Sequence, residues 1–244
     1  MIGNFRIKDG CLCFDTNTTI QSKKKMTGHS FVELCGFSEF KKKGDTVLSL
    51  LGAYKEQVDP KWLRRGDMAE LIVRNYYSKR LGKNIVWYDE QDKKANFFDF
   101  FHDYQQCGGI PDIEIPEEKL LIEVKSKSLS KYDDIIAKLP KEEIYQGLYY
   151  AYLRHFPNAV LFWVFFDKES EEAIFAGEKP KTLNNVKWFA KNYDVNESEM
   201  KELISGALKY YNTCIKEKRI PLGDISQSVL DKLGFPREFD EGVF

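Results

Sequence analysis

The sequence lacks the cysteine pattern of a disulfide-rich or zinc-binding protein. It has five cysteines, and they are scattered along the chain, at Cys11, Cys13, Cys35, Cys107 and Cys214. An odd number at irregular spacing predicts neither a disulfide framework nor a zinc cluster. We therefore expect buried free thiols in a reducing compartment.

Membrane and secretion signals are also absent, and the net charge is small. The longest apolar run, AVLFWVFF at 159–166, is far shorter than the roughly 20 residues that span a bilayer. The N-terminus shows no signal-peptide pattern, so we expect a soluble intracellular protein. A formal net charge of −1 excludes an overall basic character but not a local basic groove, because Lys and Arg cluster at 23–25, 41–43 and 64–65.

The chain alternates between helical and strand patterns. Helices are predicted within 26–52, where Thr27 or Ser30 can cap the first of two, and at 59–82, 140–156 and 197–219; strands are predicted at 84–90, 110–115, 119–125 and 159–167. This order predicts an α/β fold with a central mixed β-sheet flanked by helices. We expect residues 1–25 to be an N-terminal arm, 26–218 the main domain, and 219–244 a tail packed on it as coil.

The stretch GGIPDIEIPEEKLLIEVKSKS, residues 108–128, carries charges inside two predicted strands. Residues two apart on a strand share a face, so Glu123 and Lys125 point one way while Ile122 and Val124 point the other. The short turn between the strands brings the Asp112 carboxylate beside that of Glu123. The pattern predicts a cluster of charged groups on one face of the sheet.

Two adjacent carboxylates repel each other unless a positive charge lies between them. A divalent cation with oxygen ligands, Mg²⁺ or Mn²⁺, meets that need. Lys125 beside it could orient an attacking water or stabilise a phosphorane-like transition state. A surface hairpin with three solvated charges would show the same spacing, so the hairpin alone leaves both interpretations open.

Three further features favour a site. Glu70, in RRGDMAE, lies on the strongest predicted helix and could supply a third carboxylate. Gln146 and Tyr150 share one face of the helix at 140–156. The basic run KSKS at 125–128 could bind backbone phosphates without reading sequence. Each of these features, taken alone, is common on protein surfaces.

Together these motifs resemble the PD-(D/E)xK nuclease superfamily, in its lambda-exonuclease and RecB-like branch. PD at 111–112 and EVK at 123–125 match the core motif, RRGDMAE is similar to the Arg-Gly…Glu helix motif, and QGLYY is similar to the Gln-x-x-x-Tyr motif. Residues 26–52 resemble the N-terminal region of YqaJ-type phage recombination exonucleases. The resemblance runs from about residue 26 to residue 166 and implies a restriction-endonuclease-like core in the domain at 26–218.

The resemblance also implies metal and catalytic roles. Asp112 and Glu123 would be ligands of Mg²⁺, with Mn²⁺ as a substitute, and the Val124 backbone carbonyl a further ligand. Glu70 would contact the metal directly or through water. Lys125 would be the catalytic lysine.

Other residues of the motifs would assist or bind DNA. Gln146 would lie near the active site with Tyr150 as its companion. Arg64 or Arg65, and Ser38 in the GFSEF turn, would bind DNA phosphate. Three departures from the family pattern put the substrate end preference in doubt: His29 after the Thr-Gly pair, SEF in place of Ser-Pro-Tyr, and an aromatic insert at 97–104.

The resemblance implies a Mg²⁺-dependent exonuclease that degrades one strand of duplex DNA 5′ to 3′. Its expected partners are duplex ends, a single-strand annealing protein and further copies of itself in a trimeric ring, with no membrane. Its expected location is the cytoplasm, of a bacterial host cell if the chain derives from a phage. One alternative is a restriction or repair endonuclease on the same core, and a second is a catalytically silent DNA-binding module.

Overall fold

The computed structural model describes residues 4–15, 25–54, 58–88, 100–178 and 186–236. The chain divides into two compact units, the first comprising Met1–Glu56 with Lys201–Phe244 and the second Gln57–Met200. This partition leaves the domain boundaries expected at residues 26 and 219 as a prediction. Within the described ranges, no helix has the length and apolar character needed to cross a bilayer.

The first unit contains a three-stranded antiparallel sheet of order β1-β2-β8. β1 (Phe5–Lys8) and β2 (Cys11–Phe14) form a hairpin whose turn places Gly10 at φ +68°, the left-handed region that hairpin turns favour. β8 (Arg219–Pro221) pairs with β2. The expectation of a coil after residue 219 is therefore wrong, because β8 and helix α8 (Gln227–Lys232) lie there.

The helices of the first unit follow their sequence signals. Helix α1 (Gly28–Leu34) begins at a capping box in which the Thr27 side chain accepts from the Ser30 N–H, as the sequence predicts for Thr27. Helix α2 (Lys43–Leu50) follows after a short loop. Helix α7 (Glu197–Glu217) starts at the end of the second unit and continues into the first.

The second unit is built on a five-stranded sheet of order β3-β4-β5-β6-β7. β5 and β6 run parallel and the other neighbouring pairs run antiparallel, so the sheet is mixed, as predicted. The strands are β3 (Val86–Trp87), β4 (Ile113–Ile115), β5 (Leu120–Ser128), β6 (Asn158–Phe166) and β7 (Lys187–Asp194). The apolar run predicted to be a buried strand is β6, which has neighbours on both sides.

Three helices or strands of this unit are not predicted from the sequence. Helix α4 (Tyr132–Ala137) follows β5, helix α6 (Lys168–Phe175) follows β6 directly, and β7 forms the edge of the sheet. β7 has the sequence KWFAKNYD and is largely exposed, so it lacks the apolar alternation that identifies a strand. The aromatic segment 95–104 is described only from residue 100, where it forms bends and turns.

Helix α3 (Pro60–Asn75) covers one face of the sheet. The Asp59 side chain caps its first turn and Pro60 occupies the first helical position, as predicted. The α3 residues Met68, Ala69, Ile72 and Val73 pack with Ile113, Ile122, Val124 and Phe162 in one apolar cluster. This packing confirms that Ile122 and Val124 face away from the charged side of β5.

Helix α5 (Lys141–Leu153) covers the opposite face, which carries Glu123 and Lys125. It forms the connection between the parallel strands β5 and β6, together with helix α4 (Tyr132–Ala137). A Cβ added at Gly147 would lie 3.2 Å from the Glu123 Cβ and 3.1 Å from Leu161 Cδ2. α5 therefore lies in close contact with the charged face of β5.

Candidate active site

The sheet register brings Asp112 beside Glu123. β4 and β5 pair antiparallel with Ile113 opposite Ile122, and Asp112 precedes Ile113 as Glu123 follows Ile122. The Val124 N–H donates to Asp112 Oδ2 at 2.8 Å, which fixes the carboxylate against the β5 backbone. This hydrogen bond involves the Val124 N–H. The expected contact between the Val124 carbonyl and a metal stays a prediction.

Glu123, Lys125 and Gln146 form a closed triangle of hydrogen bonds. Lys125 Nζ donates to Glu123 Oε1 at 2.8 Å and to Gln146 Oε1 at 2.9 Å. Gln146 Nε2 donates to Glu123 Oε1 at 2.8 Å. Glu123 is 2% exposed and Lys125 17% exposed, so the triangle is largely shielded from solvent. The helix residue therefore holds both strand side chains in place.

The protonation of this triangle follows from burial and crowding of charge. Burial raises the pKa of Glu123, and the Asp112 carboxylate raises it further, whereas Lys125 opposes the increase. The net pKa of Glu123 is about 8, with a smaller contribution from Glu70. Burial acts to lower the pKa of Lys125, but the neighbouring carboxylates, Glu123 first, outweigh it and raise that pKa. Lys125 is thus a stable cation, and the site holds more carboxylates than it alone can balance.

Glu123 and Asp112 fit a divalent cation. Glu123 Oε2 is buried and has no hydrogen-bond partner among the residues that the structure describes. Burying an unpaired polar atom is costly, and carboxylate oxygens are ligands that Mg²⁺ and Mn²⁺ prefer. The described part of the chain does not gather three or more His, Cys, Asp or Glu side chains into a metal-binding group. Asp112 and Glu123 are the two carboxylates that the sheet register places side by side for such a cation.

Glu70 lies on α3, the helix on the other face of the sheet. It is half-buried, and its charge contributes to raising the pKa of Glu123. The charge of Glu70 therefore acts on the site. Within the described ranges, Glu70, Asp112 and Glu123 do not form a group of three carboxylates that could hold a metal ion. Its role as a metal ligand stays a prediction.

Tyr150 lies on α5, four residues after Gln146, and is only 5% exposed. Its ring stacks on Phe101, with centroids 6.1 Å apart and planes 16° apart. A Cβ added at Gly109 would lie 2.5 Å from the Tyr150 hydroxyl oxygen, so the ring packs directly on the backbone three residues before Asp112. The structure gives Tyr150 a packing role, and its contact with DNA stays a prediction.

The residues expected to bind phosphate lie outside the triangle. Arg65 is 13% exposed; it forms a 2.5 Å ion pair with Glu171 and donates to the Ser126 carbonyl at 3.2 Å. Arg64 is exposed and donates to the Phe175 carbonyl at 2.7 Å. Ser38 lies in the first unit, where its hydroxyl accepts from the Phe40 N–H at 3.3 Å. These assignments to DNA binding stay predictions.

Sequence analysis does not identify two further charged residues of this face, Glu143 on α5 and Arg154 at its C-cap. Arg154 forms a bidentate ion pair with Glu114 of β4, at 2.8 and 2.9 Å. Glu143 pairs with Lys127 of β5. Glu143, Gln146, Gly147, Tyr150 and Arg154 recur at spacings of three and four residues, and that helical period is the signal that could have found them.

The sequence matches only part of its curated relatives. No protein-family model matches the chain. An uncharacterized protein of Mycoplasma genitalium is 30% identical over 118 residues, which cover 47% of this chain and 41% of that protein. Its homologue in Mycoplasma pneumoniae is 31% identical over 93 residues, covering 38% of this chain and 32% of the relative. The chain thus spans less than half the length of these relatives.

Solved structures give a broader match. A phage-related exonuclease from Haemophilus somnus 129PT matches with a TM-score of 0.52 and 17% identity over 80% of this chain and 97% of that one. An alkaline exonuclease from Laribacter hongkongensis matches with a TM-score of 0.53 and 14% identity. The same enzyme in complex with dAMP matches with a TM-score of 0.56 and 15% identity. Both comparisons with this enzyme cover 80% of this chain and 91% of the enzyme. The chain therefore has the fold of these exonucleases, which confirms the predicted α/β fold with a central mixed sheet flanked by helices.

Proposed function

We propose that the protein is a divalent-metal-dependent deoxyribonuclease that removes nucleotides from the ends of duplex DNA. The observation that carries the proposal is the buried Oε2 of Glu123, which has no hydrogen-bond partner among the described residues, in a site that also holds Asp112 and a protonated Lys125. This combination suits hydrolysis of a phosphodiester, because that reaction develops negative charge on phosphate oxygens. The fold shared with two exonucleases supports the same reading.

Each side chain of the site has a defined task in this proposal. Asp112 and Glu123 bind the cation, and a bound Mg²⁺ or Mn²⁺ supplies Lewis-acid activation of the phosphodiester and of water. Lys125 donates to a non-bridging oxygen of the scissile phosphate. Gln146 orients Lys125 and Glu123 through the bonds described above. The burial of the triangle keeps competing water away from these groups.

The finer features of the activity belong to the same proposal. We propose 5′-to-3′ polarity, Mg²⁺ as the natural cofactor, and a recombination role of phage type with a single-strand annealing protein as partner. A trimeric ring in the cytoplasm would hold the duplex during repeated cleavage. Sedimentation of the protein with and without a duplex end tests the oligomer.

The deciding experiment compares linear and covalently closed circular duplex DNA in Mg²⁺, Mn²⁺ and EDTA. The linear duplex, labelled separately at each 5′ and 3′ end, should shorten in the presence of metal, and the circle should remain intact. Cleavage of the circle would favour the endonuclease alternative. No cleavage of either DNA, with no Mn²⁺ binding in calorimetry, would favour the silent DNA-binding module.

Variants test the residues. Lys125→Met should lower the cleavage rate roughly a hundred- to a thousandfold, by removal of one preorganised donor. Asp112→Asn and Glu123→Gln should abolish metal-dependent cleavage. Glu117→Gln and Lys119→Met are matched controls, since they change the same residue types in the exposed turn before β5 and should leave the rate unchanged. Full activity in Glu123→Gln would refute the assignment.

A further inference from the structure

A second lysine continues the charged face of β5 beyond the candidate site. Lys127 is two residues after Lys125 on the same strand, so both side chains leave the same face of the sheet. Two residues advance a strand by roughly 6.6 Å. That distance is close to the separation of neighbouring phosphorus atoms along one nucleic acid strand. The two lysines are therefore spaced to contact successive phosphates.

A buried carboxylate holds Lys127 in place. Glu143 is 7% exposed, and its Oε1 lies 2.5 Å from Lys127 Nζ. Its other oxygen, Oε2, accepts from the indole N–H of the fully buried Trp163 at 2.6 Å. Trp163 of β6 is the register partner of Lys125, which places the anchor next to the candidate site. One oxygen of Glu143 thus pairs with the Lys127 ammonium group, and the other is held by Trp163.

The exposed part of Lys127 distinguishes it from a purely structural ion pair. Its side chain is 31% exposed, whereas its partner is buried. An ammonium group has three donors, and Glu143 engages one of them, so the group can bind a phosphate oxygen and keep its pairing. Glu143 fixes the direction of a side chain that would otherwise lose much rotamer freedom on binding.

We propose that Lys127 binds the DNA backbone phosphate next to the scissile one, and that Glu143, anchored by Trp163, is its positioning residue. The inference rests on the proposed function, because it requires that Lys125 contacts the scissile phosphate. Its substrate class is a nucleic acid strand with at least one charged phosphate beside the cleavage point.

Single-turnover cleavage of chemically altered duplexes tests the contact. A neutral methylphosphonate replaces, in turn, each of the two phosphates that flank the scissile one. In the wild-type protein, replacement at the contacted position should slow the first cleavage roughly ten- to a hundredfold, the loss expected for one charge-assisted hydrogen bond. Lys127→Met should slow cleavage of the normal duplex by a similar factor, and the methylphosphonate should then add little. Independent, multiplicative effects at both positions would overturn the proposal.

Two further variants separate binding from folding. Lys127→Met leaves Glu143 buried without its cation, whereas the double variant with Glu143→Gln removes both charges and keeps an acceptor for Trp163. The double variant should fold stably. As in Lys127→Met, the methylphosphonate should slow its cleavage little further, so the coupling between Lys127 and the phosphate is lost. Lys131→Met removes a 64% exposed lysine just after β5 and should keep the wild-type coupling.

Failure of the Lys127 inference can be distinguished from failure of the proposed function. If the wild-type protein cleaves no DNA, the proposed function fails, and Lys127 is then judged by DNA binding in EDTA. Loss of one phosphate contact should reduce the slope of log affinity against log salt by about one in Lys127→Met. An unchanged slope would overturn the inference.

Discussion

Gly147 and Glu123 approach so closely that a methyl group on the Gly147 Cα would lie 3.2 Å from the Glu123 Cβ. Such a separation is tighter than ordinary van der Waals contact, so a side chain at this position would require β5 or the helix to shift by a few tenths of an ångström. The adjacent residue, Gln146, thereby reaches both Glu123 and Lys125. A helical glycine thus determines the geometry of the candidate site.

Gly147→Ala should destabilise the protein and slow cleavage. Overpacking typically costs about 1–3 kcal/mol, and the better helix propensity of alanine offsets up to about 1 kcal/mol. Urea unfolding and the cleavage rate measure the two effects. Gly206→Ala on α7 is the control: no described heavy atom lies within 4 Å of its added Cβ, so it should gain about 0.5–1 kcal/mol. Equal effects of the two substitutions would contradict the close contact.

Gly109→Ala should cost more than backbone strain alone. Gly109 has φ +95°, and its added Cβ would lie 2.5 Å from the Tyr150 hydroxyl oxygen. Gly177→Ala supplies the control, since Gly177 has φ +94° with no described atom within 4 Å and should lose only the backbone strain, about 1–2 kcal/mol. The excess loss at Gly109, measured by thermal unfolding, reports the packing of Tyr150 on the backbone at Gly109. A loss no larger than that of Gly177→Ala would show that the ring moves away freely.

Arg154→Met should destabilise the protein in a pH-dependent way. Glu114 is 1% exposed, and burial raises its pKa even though Arg154 opposes the increase. Removal of Arg154 leaves that carboxylate unpaired and should cost roughly 3 kcal/mol at neutral pH. Burial raises the pKa of Glu114 in the folded state, so protonation of Glu114 favours folding. Removal of Arg154 strengthens this effect. The loss of stability relative to wild type should therefore shrink as the pH falls through the pKa of Glu114 in the folded variant. Urea unfolding across pH measures it.

The double variant Glu114→Gln with Arg154→Met is the matched control for this ion pair. It removes both charges and should lose much less stability than Arg154→Met alone. Its difference from wild type should also vary little with pH, since the titrating carboxylate is gone. A strong pH dependence in the double variant would assign the effect to another group.

Divalent cations should raise the melting temperature of the wild-type protein. A ligand that binds only the folded state stabilises it by about 2.7 kcal/mol at a hundred times its dissociation constant. Glu123→Gln should be at least as stable as the metal-free wild type, because burial and the Asp112 carboxylate favour the neutral form of Glu123, which Gln resembles, and it should show no response to Mg²⁺ or Mn²⁺. Glu114→Gln, another buried carboxylate, should keep the full response. A response in Glu123→Gln would place the cation elsewhere.

Much of the site is predictable because it depends on local chain geometry. The two-residue period of β5 separates Ile122 and Val124 from Glu123 and Lys125, and the structure confirms that the apolar pair is buried. A short turn constrains the register that sets Asp112 opposite Glu123. The caps at Thr27 and Asp59 are equally local signals.

The remaining features depend on residues that are distant in the chain. Glu114 and Lys127 continue the charged alternation of the two strands. Their partners, Arg154 and Glu143, come from α5 and the residue that follows it, and no local pattern specifies where this helix packs. Tyr150 is oriented by the packing of α5, which buries it against Phe101. The exposed edge strand β7 and the pairing of β8 with β2 likewise escape local analysis.

The sequence by itself therefore determined the fold class, the faces of the strands and the composition of the charged cluster, since strand and helix periods act over a few residues. The tertiary structure decided how the charges of the cluster are paired, that Glu123 Oε2 has no hydrogen-bond partner within the described residues, and that Tyr150 is buried. These outcomes depend on the burial and contact of elements far apart in the chain, and burial sets the electrostatic energy of each group.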